Sequence, residues 1–463
     1  MSRPEVAVVG GGLAGLSAAI ALVDAGASVA LFEARPRLGG ATWSFERNGL
    51  MFDNGQHVHL RCCSAYRRFL ERLGTAHLAP LDRLELPVVA PGRGGGGPAT
   101  AWIRRSRLPA PLHLLPSLLA YRHLPFPARL AALRALGALR RVHLRDPLLD
   151  AETFASFLAR HGQRPRAVEA LFDLVTLPTT NLHAGEVSLA LAAKVFKTGL
   201  LEEADAADLG WARVPLSALH AQPAAALLER AGARVRRRAK VAALDWRPGE
   251  RAVDGVVVDG ERCRADAVIL AVPHDAAARL LGPLVGARGA DPAQLGASPI
   301  LDVHLVYGRR VTHHRVAAGV DSPVQFVFDR SEAAGLPPGE GQCLAVSVSG
   351  AAREVGERPE RLIERYRGAL EELFPLARGA PLLDAVVSRE RAATFAGVPG
   401  SARLRWPTTT PASNLFLAGA WTDTGWPATM EGAVRSGTAA AAAALAVLGR
   451  TRALPARAEG VVA

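Results

Sequence analysis

The chain is short of several features that would assign a function class early. It has four cysteines in 463 residues, Cys62, Cys63, Cys263 and Cys343. None is in C-x-x-C spacing or in a grouping of metal-ligand type. That argues against a disulfide scaffold and a zinc module, leaves no candidate metal site, and fits a reducing cytoplasm. Lysine is almost absent, with three against 52 arginines in a chain of formal charge +12. So lopsided a choice of cation, amid abundant alanine, proline and glycine, reflects compositional bias, and net charge alone does not argue for a nucleic-acid partner. No apolar run reaches the roughly 18 residues needed for a membrane span. The longest, 439–448, is alanine-rich and reads as a buried helix. The N-terminus does not read as a signal peptide, because glycines interrupt its apolar start. Hydrolytic motifs are missing too: no Ser-His-Asp order, HExxH or paired-carboxylate pattern stands out.

Those N-terminal glycines have a better explanation. Residues Glu5–Val9 (EVAVV) form a short β-branched run, followed by Gly10-Gly11-Gly12-Leu13-Ala14-Gly15, a G-x-G-x-x-G. Helix-forming residues continue to Ala25, Gly26 ends them, and 28–32 (SVALF) reads as a second strand closed by Glu33. Gly10 permits the tight turn, Gly12 lets the backbone approach a pyrophosphate, and Gly15 allows close helix–strand packing. The helix start offers free N–H groups and a positive dipole end to phosphates. Glu33 suits an unphosphorylated ribose, whose hydroxyls it can accept. A second glycine pair follows directly in Ala34-Arg35-Pro36-Arg37-Leu38-Gly39-Gly40, as suits a loop closing over an extended, buried dinucleotide such as FAD.

At the other end, 414–418 (NLFLA) reads as a strand and leads through Gly419 and Ala420 to Thr429-Met430-Glu431-Gly432-Ala433 and a helix to about Leu448. Thr429 is the expected N-cap, and Gly432 and Ala433 keep the first turn slim. Such a helix start can face the flavin pyrimidine edge and stabilise negative charge on the reduced ring.

The segments VAVVGGGLAGLSAAIAL, FEARPRLGG, FDNGQHV and AGAWTDTGWPATMEGAVRSG resemble flavin enzymes of the amine oxidase and carotenoid desaturase superfamily. DNGQHV with TGWPATMEGAVRSG more narrowly resembles the hydroxysqualene dehydroxylase family, also called squalene-associated FAD-dependent desaturases. The resemblance implies FAD contacts at Gly10, Gly12, Leu13, Ala14, Gly15, Glu33, Ala34, Arg35, Gly39 and Gly40. It implies that Asp53, Asn54, Gly55, Gln56 and His57 lie beside the isoalloxazine, and that Val241 meets the adenine through its backbone. At the C-terminal end it implies flavin contacts from Gly419, Ala420, Thr429, Met430, Glu431 and Ala433. Two positions depart from the pattern: Ala41 stands where arginine is usual, and Ala420 where aspartate is usual. The reaction implied by the resemblance replaces the hydroxyl of hydroxysqualene, a triterpene alcohol, with hydrogen, giving squalene. A general acid would help the hydroxyl leave, and His57 and Asp53 are the expected candidates; a supporting role for His57 in the flavin loop is the alternative. With one dinucleotide fingerprint in the chain, the electron donor, such as NADPH or a partner reductase, is expected to act transiently.

Charge becomes informative only in the middle. From Leu86 to Arg145 there is no acidic residue, against ten arginines and three histidines. Two readings stand side by side: a surface meeting anionic lipid and admitting a greasy substrate, or an arginine-decorated helical subdomain with leucines facing its own core. Leu112, Leu115, Leu118 and Leu119 share a helical face. Leu130, Leu133, Leu136 and Leu139 step by three and drift, so no clean amphipathic helix is expected there. Nucleic-acid binding is the poorer reading, with only Trp102, Tyr121 and Phe126 as aromatics, and the run 92–98 (GRGGGGP) lacks the strand and Lys-Ser/Thr of a P-loop.

The fold class expected is α/β: a Rossmann-type FAD-binding domain, a mixed α+β substrate domain, and a helical basic insertion. The FAD domain is assigned 1–80 with 215–290 and 385–450, the helical segment 81–214, and an antiparallel-sheet domain 291–384. Residues 235–273 read as one β meander. The rival activities are a carotenoid desaturase or amine oxidase of the same superfamily, and a redox-neutral isomerase or cyclase. The expected location is cytoplasmic, with peripheral contact on the inner face of the membrane as the open alternative.

Overall fold

Four short apolar runs, mostly buried on both faces, align as a parallel sheet, and the exposed, arginine-rich run Arg234–Arg237 (RVRR) adds to one edge. Their order is Arg234–Arg237, Ser28–Glu33, Glu5–Val9, Ala267–Leu270 and Leu415–Leu417, in a computed structural model that describes residues 5–449 except 93, 95 and 248–250. Burial on both sides is what a parallel sheet between helices requires. Helix Leu13–Asp24 follows the first strand and packs on the C-terminal helix Met430–Val447. The two meet backbone to backbone. A Cβ on Gly437 would stand 2.0 Å from the Ala14 carbonyl oxygen, and the Ser17 hydroxyl donates to the Val434 carbonyl. Leu16, Leu22, Val434, Ala440 and Ala444 fill the seam, each large side chain contributing about 1.5–3 kcal/mol by burial. The two ends of the chain are thereby clamped on one sheet.

The segment read as one meander divides in two. Arg234–Arg237 joins the parallel sheet beside Ser28–Glu33, and the chain turns at Arg238 (φ 58°). Only Val241–Trp246, Val253–Val258 and Glu261–Arg264 form the antiparallel unit, before Ala267–Leu270 returns to the parallel sheet.

The second large sheet has seven strands in the order Leu382–Thr394, Ser298–Tyr307, Gln342–Ser349, Phe326–Asp329, Val316–Gly319, Glu85–Ala90 and Ala99–Arg104. It exceeds the range 291–384 assigned to it: its last two strands come from the segment expected to be helical, and Leu382–Thr394 runs on past that boundary. One pairing, Val316–Gly319 with Glu85–Ala90, is parallel, so the sheet is mixed. Strand Ser298–Tyr307 shows the period of two. Leu301, Val303, Leu305 and Tyr307 join the core with helix Pro359–Leu373, while His304 meets Phe52 of strand Leu50–Asp53, ring centroids 5.3 Å apart.

The stretch expected to lack a clean amphipathic helix holds one, Phe126–Arg141. Its buried stripe is Ala132, Ala135 and Leu139, at helical spacing. The leucines drift because small residues, not leucines, make the closest contact.

Candidate flavin site

The glycine turn has the steric form of a dinucleotide cradle. A Cβ on Gly15 would lie 1.8 Å from the Gly10 carbonyl oxygen, and one on Gly40 would lie 2.7 Å from the Gly12 Cα. The two glycine loops are pinned together, the Gly39 N–H donating to the Gly11 carbonyl at 2.8 Å. Gly12 is the N-cap of helix Leu13–Asp24, with no side-chain cap bond and no acid in the first turn. The N–H groups of Leu13, Ala14 and Gly15 therefore face an anion-binding position.

Glu33, at the end of its strand, accepts from the backbone N–H of Gly11 (2.6 Å) and Arg35 (2.7 Å). It ties both loops together, and a carboxylate so placed keeps lone pairs for ribose hydroxyls. The Ala239 N–H donates to the Glu33 carbonyl, and the Arg238 N–H to that of Arg35, which brings Val241 to this end of the site. Ala34 and Arg35 are exposed beside it.

The far end meets the near one through the clamped helices. Thr429 is the N-cap of Met430–Val447, its hydroxyl accepting from the Gly432 N–H at 3.2 Å. Gly419 has φ 144°, and a Cβ there would run into the Trp421 ring; its N–H donates to Ser436 Oγ. Met430 and Ala433 are partly buried against the same core. The Glu431 side chain goes elsewhere. Its carboxylate accepts from the N–H groups of Ala65 (3.1 Å) and Tyr66 (2.7 Å) and from Arg435, capping helix Ser64–Leu73 where the helix dipole favours an anion. As a side chain it is a tie between helices, which leaves its backbone at the helix start for the expected flavin contact.

Between the two ends lies the loop of Asp53, Asn54, Gly55, Gln56 and His57. Asn54 is wholly engaged: its Oδ1 accepts from the Trp43 N–H, and its Nδ2 donates to the Ala41 carbonyl and to Glu390. It holds the segment after Gly40, where Ala41 replaces the usual arginine. Nearby, Arg37 donates to the Gly40 carbonyl and stacks over Trp43 at 3.9 Å. Ala420, the other departure, lies in a turn gathered by Arg405. This buried guanidinium donates to the carbonyls of Trp421, Thr422 and Trp426, and burial lowers its pKa to about 10.

Asp53 is not a free acid. Its carboxylate accepts from Ser44 Oγ (2.7 Å), the Leu216 N–H (2.9 Å) and Arg330 Nη2 (2.8 Å), and both members of the ion pair are buried. Three donors, one of them the Arg330 cation, hold it as an acceptor, an arrangement that suits a structural tie better than the proton donor expected of it. His57 is half-buried. Burial lowers its imidazole pKa below the ordinary value, against Asp53, Glu390 and the Ala41 carbonyl, which raise it. It stands neutral at pH 7.

Sequence reasoning missed a second carboxyl. Asp302 is fully buried, its Oδ1 accepts from the Gln56 N–H at 3.2 Å, and its Oδ2 has no partner among the described residues. That Oδ2 and His57 Nε2 both overlie Gly55, 3.2 and 3.8 Å from where a Cβ would stand. Burial pushes its pKa up to about 7, the Ser347 hydroxyl and the Gln56 N–H opposing the rise and Asp53 and Glu390 adding to it. Gln56 Nε2 and His304 Nε2 are also buried without partners, and both line a small cavity with Phe52, Asp53 and Arg330. Behind the loop, His220 pairs with the Tyr66 hydroxyl at 2.7 Å and is held neutral by burial, at about 3. The signal for Asp302 and His304 was two polar residues, two apart, in an apolar strand; Arg330 gave none. Among the described residues no cluster of His, Cys, Asp and Glu can hold a metal.

A steric glycine cradle, an anion-binding helix start, a ribose acid and a capped C-terminal helix define an FAD-dependent oxidoreductase. The chain belongs to the flavin containing amine oxidoreductase family, whose model matches residues 13–445. It is 31% identical to the hydroxysqualene dehydroxylase of Rhodopseudomonas palustris, over 95% of this chain and 98% of that one. It is 30% identical, with the same coverage, to that of Sinorhizobium fredii. A probable zeta-carotene desaturase of Synechococcus elongatus is 26% identical over 95% of this chain and 98% of its own. Putrescine oxidase bound to putrescine has the same fold, with a TM-score of 0.72 at 21% identity, covering 96% of this chain and 99% of that one.

Proposed function

We propose that this FAD enzyme reduces hydroxysqualene to squalene. What carries the reading is full-length similarity: two relatives at 30–31% identity that cover 98% of their own length are hydroxysqualene dehydroxylases. When bound and reduced, FAD supplies the hydride whose electron pair forms the new C–H bond. The glycine loops, Glu33 and the helix start at Leu13 hold its phosphates and ribose, and the loop at Gly55 with the helix start at Thr429 borders its ring. The protein must also bring a proton to the leaving oxygen, because hydroxide is a poor leaving group. As the C–O bond breaks, its electron pair departs with that oxygen as water. With Asp53 committed to Arg330 and His57 neutral, Asp302 is the carboxyl best suited to hold this proton, and His57 is suited to stand between it and the substrate. The electron donor is a reduced nicotinamide or a partner reductase, and the enzyme works as a peripheral protein on the cytoplasmic side of the membrane that carries its substrate.

The test is anaerobic incubation of dithionite-reduced holoenzyme with hydroxysqualene, with mass spectrometry of the product. Squalene together with reoxidised flavin is expected. Unchanged substrate over reduced flavin overturns the reading. Dehydrogenation of a polyprene by oxidised enzyme would assign the chain to the desaturase activity of its more distant relatives.

A further inference from the structure

The acid-free segment divides its apolar side chains between two directions. Leu118, Leu124 and Leu139 are buried in the protein's own core. Leu108, Leu112, Phe126 and Leu130 are not: they stand 43%, 50%, 56% and 46% exposed. Phe126 and Leu130 are one turn apart and share a face. The same exposed face continues through Arg134, Gly137 and Arg141, opposite the stripe of Ala132, Ala135 and Leu139. This helix is apolar at its outer N-terminal tip and cationic along its length.

The tip is firmly built. Arg129 donates to the carbonyls of Leu119 and Leu124, bracing the turn that presents Phe126. The Ser117 hydroxyl ties the preceding short helix to strand Ala99–Arg104 through the Trp102 carbonyl and the Arg104 N–H. Trp102, Arg104, Arg105 and Arg122 line an open groove beside it. Arg104 and Arg105 are paired with Glu85 and Asp208. Arg107, Arg122, Arg134, Arg140 and Arg141 are exposed, in a segment with no carboxylate of its own. Exposed apolar groups ringed by arginine are costly in water and favourable at an interface with anionic headgroups. A nucleic acid would match the charge and leave the apolar tip without a partner.

We propose that this face, with Phe126 and Leu130 at its tip, docks on a lipid bilayer carrying anionic headgroups. The apolar tip enters the acyl boundary while the arginines meet lipid phosphates. The proposal rests on the peripheral location given above and names its surface and its lipid. It is tested without substrate, so its failure is separate from any failure of the triterpene reading.

Holoenzyme is sedimented with phosphatidylcholine vesicles, with or without about one third phosphatidylglycerol, at low and high salt. Sedimentation with the anionic vesicles, at least ten times weaker on the neutral ones and reduced by salt, is expected. F126S/L130S and R134E/R141E change exposed residues, so both keep wild-type flavin absorbance and melting temperature, and each lowers the partition coefficient at least tenfold. Wild-type enzyme that stays in the supernatant, or variants that sediment as well as wild type, overturn the proposal. So does a dimer in size-exclusion chromatography that F126S/L130S dissolves without any vesicle binding, which would assign the face to a second copy of the chain.

Discussion

Substituting Asp53 separates a catalytic reading of the flavin loop from a structural one. Asp53 and Arg330 face each other at 2.8 Å, with side chains 5% and 7% exposed. Arg330 also donates to the carbonyls of Ala212 and Val214, and Asp53 accepts from Ser44 and the Leu216 N–H. Asp53→Asn leaves Arg330 buried without its counter-ion, and Arg330→Met does the same to Asp53. Removing one member of such a pair costs about 3–5 kcal/mol. A chain of this length unfolding as a unit has an entropy near 1 kcal/mol/K, from roughly 2 cal/mol/K per residue. Each single variant is therefore expected to melt about 3–5 °C below wild type in differential scanning calorimetry of the holoenzyme. The double variant, which leaves no lone charge, should lose less than the sum of the two. Asp53→Asn that still carries FAD should turn over within a few-fold of wild type. Single variants melting within 1 °C of wild type would refute the ion-pair argument, and a flavin-loaded Asp53→Asn slowed a hundredfold would return Asp53 to the chemistry.

Asp302→Asn keeps the size of the side chain and an acceptor for the Gln56 N–H. It should lower kcat at least about 100-fold, the range of a lost general acid, with flavin content and KM held. Wild-type kcat is expected to fall above about pH 7 as Asp302 loses its proton, and that fall should be missing from the variant's pH–rate profile; unchanged kcat with an unchanged profile excludes the role. Acid should destabilise the fold through its buried imidazoles. His59, His220 and His304 have pKa values lowered by burial to about 4, 3 and 4, so their stabilisation is complete above about pH 6.5 and is lost as pH falls toward those values. Asp302, raised to about 7, acts oppositely: its contribution is complete below its unfolded value near 3.8 and is lost as pH rises through 7. With three groups against one, urea midpoints should fall from pH 6.5 to 4.5, and a flat or rising midpoint contradicts the burial assigned to these residues.

What could be read in the sequence was whatever a local steric or periodic rule dictates. The Gly10–Gly15 turn, the strand closed by Glu33, the end of the first helix before Gly26 and the Thr429 cap all follow from contacts within a few residues of each other. What could not be read depends on pairings made far along the chain. Asp53 gave no sign that Arg330, 277 positions later, would meet it. Glu431 sits in a motif that suggests flavin, yet its carboxylate turns to Ala65 and Tyr66, about 365 residues upstream. The seven-stranded sheet took in Glu85–Ala90 and Ala99–Arg104 because a strand's partner is decided by three-dimensional packing, not by its neighbours in sequence.

The middle of the chain carries this contrast into function. Its arginines are uninformative as a total, since the whole chain prefers arginine to lysine, and they become informative through the absence of acids beside them. Its leucines are equally ambiguous as a count. They separate only when the Ala132, Ala135 and Leu139 stripe shows which way helix Phe126–Arg141 faces, and that leaves Phe126 and Leu130 outward at one end and Arg134 and Arg141 outward along the rest. A core-facing subdomain and a lipid-facing surface were offered as rivals for one segment. The two readings are compatible, because one side of a helix can bury alanine against the protein while the other presents apolar and cationic groups outward, and the vesicle assay decides what that outer side meets.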